Sequence, residues 1–355
     1  MKKFLSVFLA ILFTVTAFSG CGRMKNADVH VFYYTYSDTY ISTVRSALGK
    51  ALSAAGISYQ DHDSNNSQTT QTEQIQTAIT KGAKLLVVNI VTTGSDDAAS
   101  GIVELAKKAD IPVVFFNREV SSDVINSYDK CAFVGTDSAE AGYLQGDMIG
   151  EYLVENFDKV DLNKDGKISY VMFMGEKGNN EAIYRTEYSV ENANKKLNEA
   201  GLPSLVFYDR SNSDKYLLDR DGKWSAQAAN DYMNTILSSY SVAGNNMVEL
   251  VICNNDGMAE GAISALNAAG YNTGKADAVN IPVFGVDATS AARELIKSGK
   301  MAGTIKQDGA AMAKAIIELA ENALENNDLL EGVDDYVIDS DSAKVRISYS
   351  VYLGE

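Results

Sequence analysis

Short runs of apolar, β-branched residues alternate with amphipathic helical stretches along nearly the whole of residues 29–352. Val29-His-Val-Phe-Tyr-Tyr34 reads as a strand. Ile41, Val44, Leu48, Leu52 and Ala55 then recur at helical spacing until Gly56. The run Leu85-Leu-Val-Val-Asn-Ile90 is apolar on both sides, as a strand is when both faces of a parallel sheet are covered. After Ala132–Val134 the pattern restarts, with a helix predicted over 138–156 and a strand over Ile168–Met174. It runs on through a helix over 309–325 to one C-terminal strand, Lys344–Tyr352. Strand–helix alternation gives parallel sheets with right-handed crossovers. Two such series within 355 residues predict an α/β chain of two doubly wound parallel-sheet lobes.

In such folds ligands bind beyond the carboxyl ends of the strands. The polar residues just past those ends are Asp38, Asn117, Asn255, Asp287 and Gln307. Asp and Asn in such places also make turns and helix N-caps. Five amide or carboxylate groups at five strand ends nevertheless fit a neutral polyol, because they donate and accept hydrogen bonds in pairs to neighbouring hydroxyls. No GxGxxG follows the first strand and no GxxxxGK[ST] occurs, so a nucleotide phosphate has no cradle.

The charge balance excludes other partners. Lys+Arg number 31 against 47 Asp+Glu, a net charge of −16, which argues against nucleic acid and anionic lipid heads. Two histidines, His30 and His62, are too few for a multi-histidine metal site or for chemistry resting on several imidazoles. Cys131 and Cys253 lie in apolar runs and read as small buried residues, not as a disulfide.

The N-terminus reads as an address. Lys2 and Lys3 precede an apolar run from Phe4 to Phe18, too short to span a bilayer, and then Ser19-Gly20-Cys21. This resembles a bacterial lipobox, with Phe18 where leucine is usual. Residues 1–20 are expected to be a signal peptide, Cys21 the lipidated first residue of the mature chain, and 21–28 a tether holding the protein outside the cytoplasm.

Asp161-Leu-Asn163-Lys-Asp165-Gly166-Lys167-Ile-Ser169 fits the first nine positions of an EF-hand loop: side-chain oxygens at 1, 3 and 5, glycine at the turn, a backbone carbonyl at 7 and an oxygen at 9. Position 12, where a bidentate glutamate belongs, is Met172. Either the segment is a plain turn, or a distant carboxylate completes a structural Ca²⁺ site.

Several stretches together carry a family resemblance: Tyr36-Ser-Asp38-Thr-Tyr40, Val113-Val-Phe-Phe-Asn117-Arg-Glu119, Ser127-Tyr-Asp-Lys130, Val134-Gly-Thr-Asp-Ser138, Asp161–Gly166, Asn254-Asn-Asp256-Gly-Met258, Val283-Phe-Gly-Val-Asp287 and Ala302-Gly-Thr304. The chain resembles the bacterial galactose/glucose-binding proteins of sugar ABC transporters, type I periplasmic binding proteins, over essentially its whole length after the N-terminal segment. The resemblance implies two lobes joined by a three-strand hinge. The lobes would be 29–135 plus 309–338 and 136–308 plus 339–355, with crossings near Val134–Thr136, Ile305–Asp308 and Ile338–Lys344. It also implies a monosaccharide between the lobes, its ring sandwiched by Tyr40 and Trp224, the only tryptophan. The hydroxyl partners it implies are Asp38, Asn117, Arg185, Asn255 and Asp287, with Asn179, Glu181 and Gln307 standing where the family has His, Asp and Asn. Tyr40 replaces a phenylalanine and adds a hydroxyl. By the same resemblance Asp161, Asn163, Asp165, the Lys167 carbonyl and Ser169 ligate calcium, with Glu249 the remote bidentate acid. Ser169 replaces a longer amide, so a water is expected to bridge there.

D-glucose or D-galactose is therefore the first expected ligand, and an ABC permease the expected partner of a monomer. The altered positions leave another sugar or a glycoside open, since a site that reads hydroxyls discriminates strongly when one group is left unpaired. A chemoreceptor or histidine kinase is the alternative receiver of the same closed form. A glycosidase built on Asp38, Glu181 and Asp287 is the rival from another class, and no enzyme is expected because each of those acids has a binding role.

Overall fold

A computed structural model describes residues 26–354. The expected signal peptide, lipidation at Cys21 and most of the tether lie outside these residues. The first series is β1 (Val29–Tyr33), α1 (Thr39–Ala54), β2 (Tyr59–Asp63), α2 (Gln68–Thr80), β3 (Leu85–Val88), α3 (Asp97–Ala109), β4 (Val113–Phe116), α4 (Ser122–Asn126) and β5 (Cys131–Gly135). The second is α5 (Ser138–Val160), β6 (Ser169–Met174), α6 (Asn180–Glu199), β7 (Val206–Phe207), β8 (Leu217–Leu218), α7 (Ala226–Leu237), β9 (Leu250–Cys253), α8 (Asp256–Ala268), β10 (Val283–Asp287), α9 (Ser290–Lys297) and β11 (Gly303–Lys306). The chain closes with α10 (Gly309–Glu325), β12 (Val337–Ile338), β13 (Lys344–Arg346) and β14 (Ser350–Tyr352).

These strands form two sheets, in the orders β12-β13-β5-β4-β3-β1-β2 and β14-β11-β10-β9-β6-β7, with β8 on the same edge of β6 as β7. All pairs are parallel except β12 with β13 and β14 with β11. Each sheet carries helices on both faces, as the alternation required. Val29, Val31 and Tyr33 point toward α1 and α10, while Phe32 points toward α2 and α3. The second sheet divides in the same way, with Val251 and Cys253 on one face and Leu250 and Ile252 on the other. Helices α5 and α6 approach closely because Gly142, Gly146 and Gly150 stand one turn apart. A Cβ on Gly146 would lie 2.6 Å from Asn192 Cβ.

The chain crosses between lobes three times. The first crossing follows β5 and the second separates β11 from α10, near the expected places. The third corrects the sequence reading. The expected single strand Lys344–Tyr352 is two strands in different sheets: β13 pairs with β5 in the first, and β14 pairs with β11 in the second. The crossing is therefore at 347–349, not 338–344, and residues 339–346 belong to the first lobe. Val345 and Ile347 are buried in the first lobe and Tyr349 in the second, so inward alternation continues unbroken while the sheet changes. Thr136 Oγ1 donates to Tyr349 Oη at 2.8 Å, and Arg346 Nη1 to the Thr136 carbonyl at 2.8 Å, tying the first and third crossings together.

Candidate functional site

Helices α1, α6 and α8 point their N-termini at the space between the lobes. Each is capped there by a residue expected in the site. Asp38 Oδ1 accepts from Ile41 N at 2.7 Å, Asn179 Oδ1 from Ala182 N at 3.0 Å, and Asn255 Oδ1 from Met258 N at 2.9 Å. The other polar atom of each cap is bonded as well, Asp38 Oδ2 accepting from Tyr34 Oη at 2.7 Å, Asn179 Nδ2 donating to Thr93 Oγ1 at 3.3 Å and Asn255 Nδ2 to the Trp224 carbonyl at 3.2 Å, so these side chains are held in place with only their remaining lone pairs and N–H groups for a ligand. Between the lobes lies a tight cleft whose walls come from both of them. Asp38, Tyr40, Asn117, Asn179, Glu181, Arg185, Trp224, Asn255, Asp287 and Gln307 all line it. Sequence reasoning missed Tyr34, Ile41 and Arg118, which line it too.

The backbone is bent to present these groups. Asn117, Trp224 and Asp287 have φ of 63°, 54° and 127°, values that L-residues seldom adopt and that cluster at functional sites. The Trp224 indole lies flat on Gly175, where a Cβ would sit 2.1 Å from Trp224 Cδ2. Its Nε1 donates to Glu176 Oε2 at 3.2 Å. Tyr40 gives its ring to the cavity, but its added hydroxyl faces Met312 Sδ, 4.0 Å away. That hydroxyl is buried between α10 of the first lobe and the Asp287 and Arg185 side of the cleft.

Several lining side chains are buried with polar atoms that find no protein partner. These atoms are Arg118 Nε and Nη1, Arg185 Nε, Gln307 Nε2 and both Glu181 oxygens. Arg185 is otherwise held, donating through Nη1 to the Asn254 carbonyl and through Nη2 to Tyr349 Oη, each at 2.8 Å. A buried polar atom left unmade costs about 1–3 kcal/mol. An array of orphaned donors beside orphaned acceptors calls for a ligand that supplies both, as hydroxyl groups do. Burial raises the Glu181 pKa above the usual carboxylate range. Burial and the neighbouring Asp256 push Asp287 well above it. Burial works against the Arg185 charge, but Tyr349, Asp287 and Glu181 hold it protonated.

The EF-hand-like loop lies far from this cavity in the second lobe. Asp161 accepts from Asp165 N at 3.2 Å and Gly166 N at 3.0 Å, and Asp165 from Lys167 N at 3.1 Å, bonds that fold the turn on itself. Asn163, Asp165, Lys167, Ser169 and Glu249 face a surface hollow of ≈ 620 Å³. These are hard oxygen donors of the kind calcium prefers. Asn163 is engaged at both ends by Met247, accepting from its N at 2.7 Å and donating to its O at 2.9 Å. Ser169 Oγ donates to Met247 O at 2.8 Å and lies 3.0 Å from Glu249 Oε2. Glu249 also accepts from Asn163 N and Ser169 N. Among the described residues no three His, Cys, Asp or Glu side chains gather as a metal-holding group. The donor chemistry fits a cation, and the loop is closed by protein hydrogen bonds.

The family profile of the Periplasmic binding protein domain matches residues 29–328. The chain is 37% identical over 306 residues to a D-galactose/methyl-galactoside binding periplasmic protein of Haemophilus influenzae, covering 86% of this chain and 83% of that one. It is 22% identical over 324 residues to a ribose import binding protein of Salmonella typhimurium, covering 91% and 93%. Among solved structures, an ABC transporter solute binding protein from Bacillus halodurans with bound myo-inositol superposes with a TM-score of 0.67 at 24% identity, covering 93% of this chain and 96% of that one. One from Clostridium phytofermentans with bound β-D-glucose gives 0.69 at 22% identity, covering 92% and 94%. At those identities the two structures show the fold alone. With the profile spanning both series of strands and helices, the chain belongs to the family of periplasmic binding proteins.

Proposed function

We propose that this chain is an extracytoplasmic sugar-binding protein that captures a D-galactose- or D-glucose-like monosaccharide between its lobes and delivers it to an ABC permease. The observation that carries this reading is the set of orphaned donors and acceptors on Arg118, Glu181, Arg185 and Gln307, buried around one cleft between the lobes. The relative that binds D-galactose and methyl-galactoside supports the hexose. The sugar's CH faces would stack on Tyr40 and Trp224. Asp38 and Asn117 from the first lobe would take hydroxyls together with Asn179, Glu181, Arg185, Asn255, Asp287 and Gln307 from the second. A ligand held from both sides favours the closed lobes by its differential affinity, and the receiver reads that shape. Anchoring through lipidated Cys21 belongs to the same proposal, supported by the lipobox-like sequence. A chemoreceptor or histidine kinase is the alternative receiver, and the protein acts as a monomer by binding, not by catalysis.

Calcium is a second part of the proposal. Asp161, Asp165 and the Lys167 carbonyl would hold it, with Asn163 and Ser169 turning from Met247 and Glu249 closing the shell. Because protein bonds already close the loop, the expected effect is moderate. Calcium raises Tm by a few degrees over EDTA, and Asp165→Asn abolishes the difference. Equal Tm in calcium and EDTA would leave the loop a plain turn.

Isothermal titration of the chain from Gly22 onward tests the main reading against D-glucose, D-galactose, D-xylose, D-ribose and methyl galactoside. Micromolar or tighter binding of glucose or galactose is expected. Binding only to another of these sugars would mean that Asn179, Glu181 and Gln307 have retuned the site. Binding to none would overturn the monosaccharide reading, and hydrolysis of a chromogenic glycoside would overturn the non-catalytic one.

A further inference from the structure

We infer that Glu176, which does not line the cavity, is a positioning residue that couples the Trp224 stacking face to closure of the lobes. One carboxylate oxygen, Glu176 Oε2, accepts from two sides. Trp224 Nε1 donates to it at 3.2 Å within the second lobe. Arg118 Nη2 donates to it from the first lobe, across the cleft. The Arg118 and Glu176 side chains are 5% and 18% exposed, so this charge-assisted bond is shielded from solvent.

The chain of contacts continues into the first lobe. The Arg118 guanidinium lies over the Tyr34 ring, 4.3 Å from its centre, and Tyr34 Oη donates to Asp38 Oδ2 at 2.7 Å. A stacking group of one lobe and a hydroxyl-binding carboxylate of the other are thus joined through an ion pair between lobes. Two neutral bonds also cross the cleft, Asn66 Nδ2 to the Asp221 carbonyl at 3.1 Å and Asn179 Nδ2 to Thr93 Oγ1 at 3.3 Å, while at the crossings themselves Ser138 Oγ donates to Glu119 Oε2 at 3.1 Å and Lys306 Nζ to Asp308 Oδ2 at 2.6 Å. Separating the lobes breaks the ion pair and hydrates Glu176, which loosens the anchor on the indole. Closing them aligns both partners of Glu176 at once. The contact exists only in the closed form, which is what a residue must offer to bias that equilibrium. Indole alignment and closure are therefore one event.

This inference rests on the proposed capture of sugar by closure, and its test separates the two. Glu176→Gln keeps an acceptor for Trp224 Nε1 and removes the charge that holds Arg118. Glu176→Ala removes both. Because Trp224 is the only tryptophan, its intrinsic fluorescence reports binding without a label. Stopped-flow mixing with D-galactose or D-glucose is expected to show about a tenfold weaker Kd for the glutamine variant, carried by a faster koff, since removing one partner of a buried charge pair acts mainly on dissociation. Tm stays close to wild type. The alanine variant should also shift the Trp224 emission of the sugar-free protein, and if it fails to fold the glutamine variant decides alone. Kd and koff within twofold of wild type in E176Q would overturn the inference. If the wild-type protein binds no sugar in the panel, the functional reading falls by itself. The coupling is then read by small-angle scattering of the sugar-free proteins: a more open average in E176Q supports it, and identical profiles overturn it.

Discussion

Gly175→Ala places a methyl group where the Trp224 indole rests. The new Cβ would stand 2.1 Å from Cδ2, 2.2 Å from Cε3 and 2.7 Å from Cε2 of the ring. Ordinary carbon–carbon contact begins near ~3.5 Å, so the indole must withdraw by about 1.4 Å, into the cavity it borders. Overpacking of this kind costs about 1–3 kcal/mol. Gly175 is not among the positive-φ glycines, and its amide keeps its bond to Asn254 Oδ1 at 3.1 Å, so the backbone tolerates alanine. The strain therefore falls on the ring and on whatever stacks against it. If about 2 kcal/mol appears on the ligand side, sugar affinity falls roughly 30-fold. Titration calorimetry of G175A against the preferred sugar measures this, and thermal unfolding shows whether Tm has moved. A cycle with Trp224→Ala sharpens the test, because with no indole to displace G175A should cost nothing more. Binding by G175A within twofold of wild type, or full additivity with W224A, would refute the reasoning.

Three further outcomes are expected. His30 Nδ1 lies 2.9 Å from His62 Nε2 in a stack with Phe32, and burial lowers both imidazole pKa values, that of His62 to about 4. The unfolded chain binds these protons near pH 6.5 and the folded chain only at lower pH, near 4 for His62, so stability should fall as pH drops below about 6.5. Measured as urea unfolding free energy against pH, the loss should be smaller in His62→Gln by about 1–2 kcal/mol, after allowance for solvent screening of the half-buried ring. Glu181→Gln removes a buried carboxylate with no protein partner, so unfolding in urea should show the sugar-free protein about 1 kcal/mol more stable while calorimetry shows weaker sugar binding. Gly146→Ala drives a methyl against Asn192 Cβ and the Ser189 carbonyl, 2.6 and 2.8 Å away, and should lower stability by about 1–3 kcal/mol without changing sugar affinity.

The lobes were legible in the sequence because strand and helix periodicities differ and each series was long. That the ten expected residues would line one cleft was legible by resemblance and by position, since Asp38, Asn117, Asn255, Asp287 and Gln307 stand at strand ends. Arg118 escaped notice as the neighbour of Asn117. What places it at the cleft is its burial beside an acid of the other lobe, and no spacing within one segment records that. Tyr34 read as the tail of the first strand, and its bond to Asp38 appears only once the α1 turn is formed. The third crossing was hidden because the same alternation serves both sheets, with Val345, Ile347 and Tyr349 all inward. The direction of the added Tyr40 hydroxyl, toward Met312 of α10, was likewise not written in its own segment.

That third crossing also bears on the order in which the molecule can be made. The second sheet needs residues 169–306 and only the edge strand β14 from the C-terminus. The first sheet lacks the partner of β5 until residues 344–346 exist, and its core lacks Met312, Ile316 and Leu319 until α10 exists. Domains generally mature from the N-terminus as a chain is synthesised. Here the lobe that begins first must finish last. Its central strands β1, β3, β4 and β5, buried on both faces in the finished lobe, wait until residues 344–346 have been delivered, a delay that suits a polypeptide that has to remain threadable on its way across a membrane.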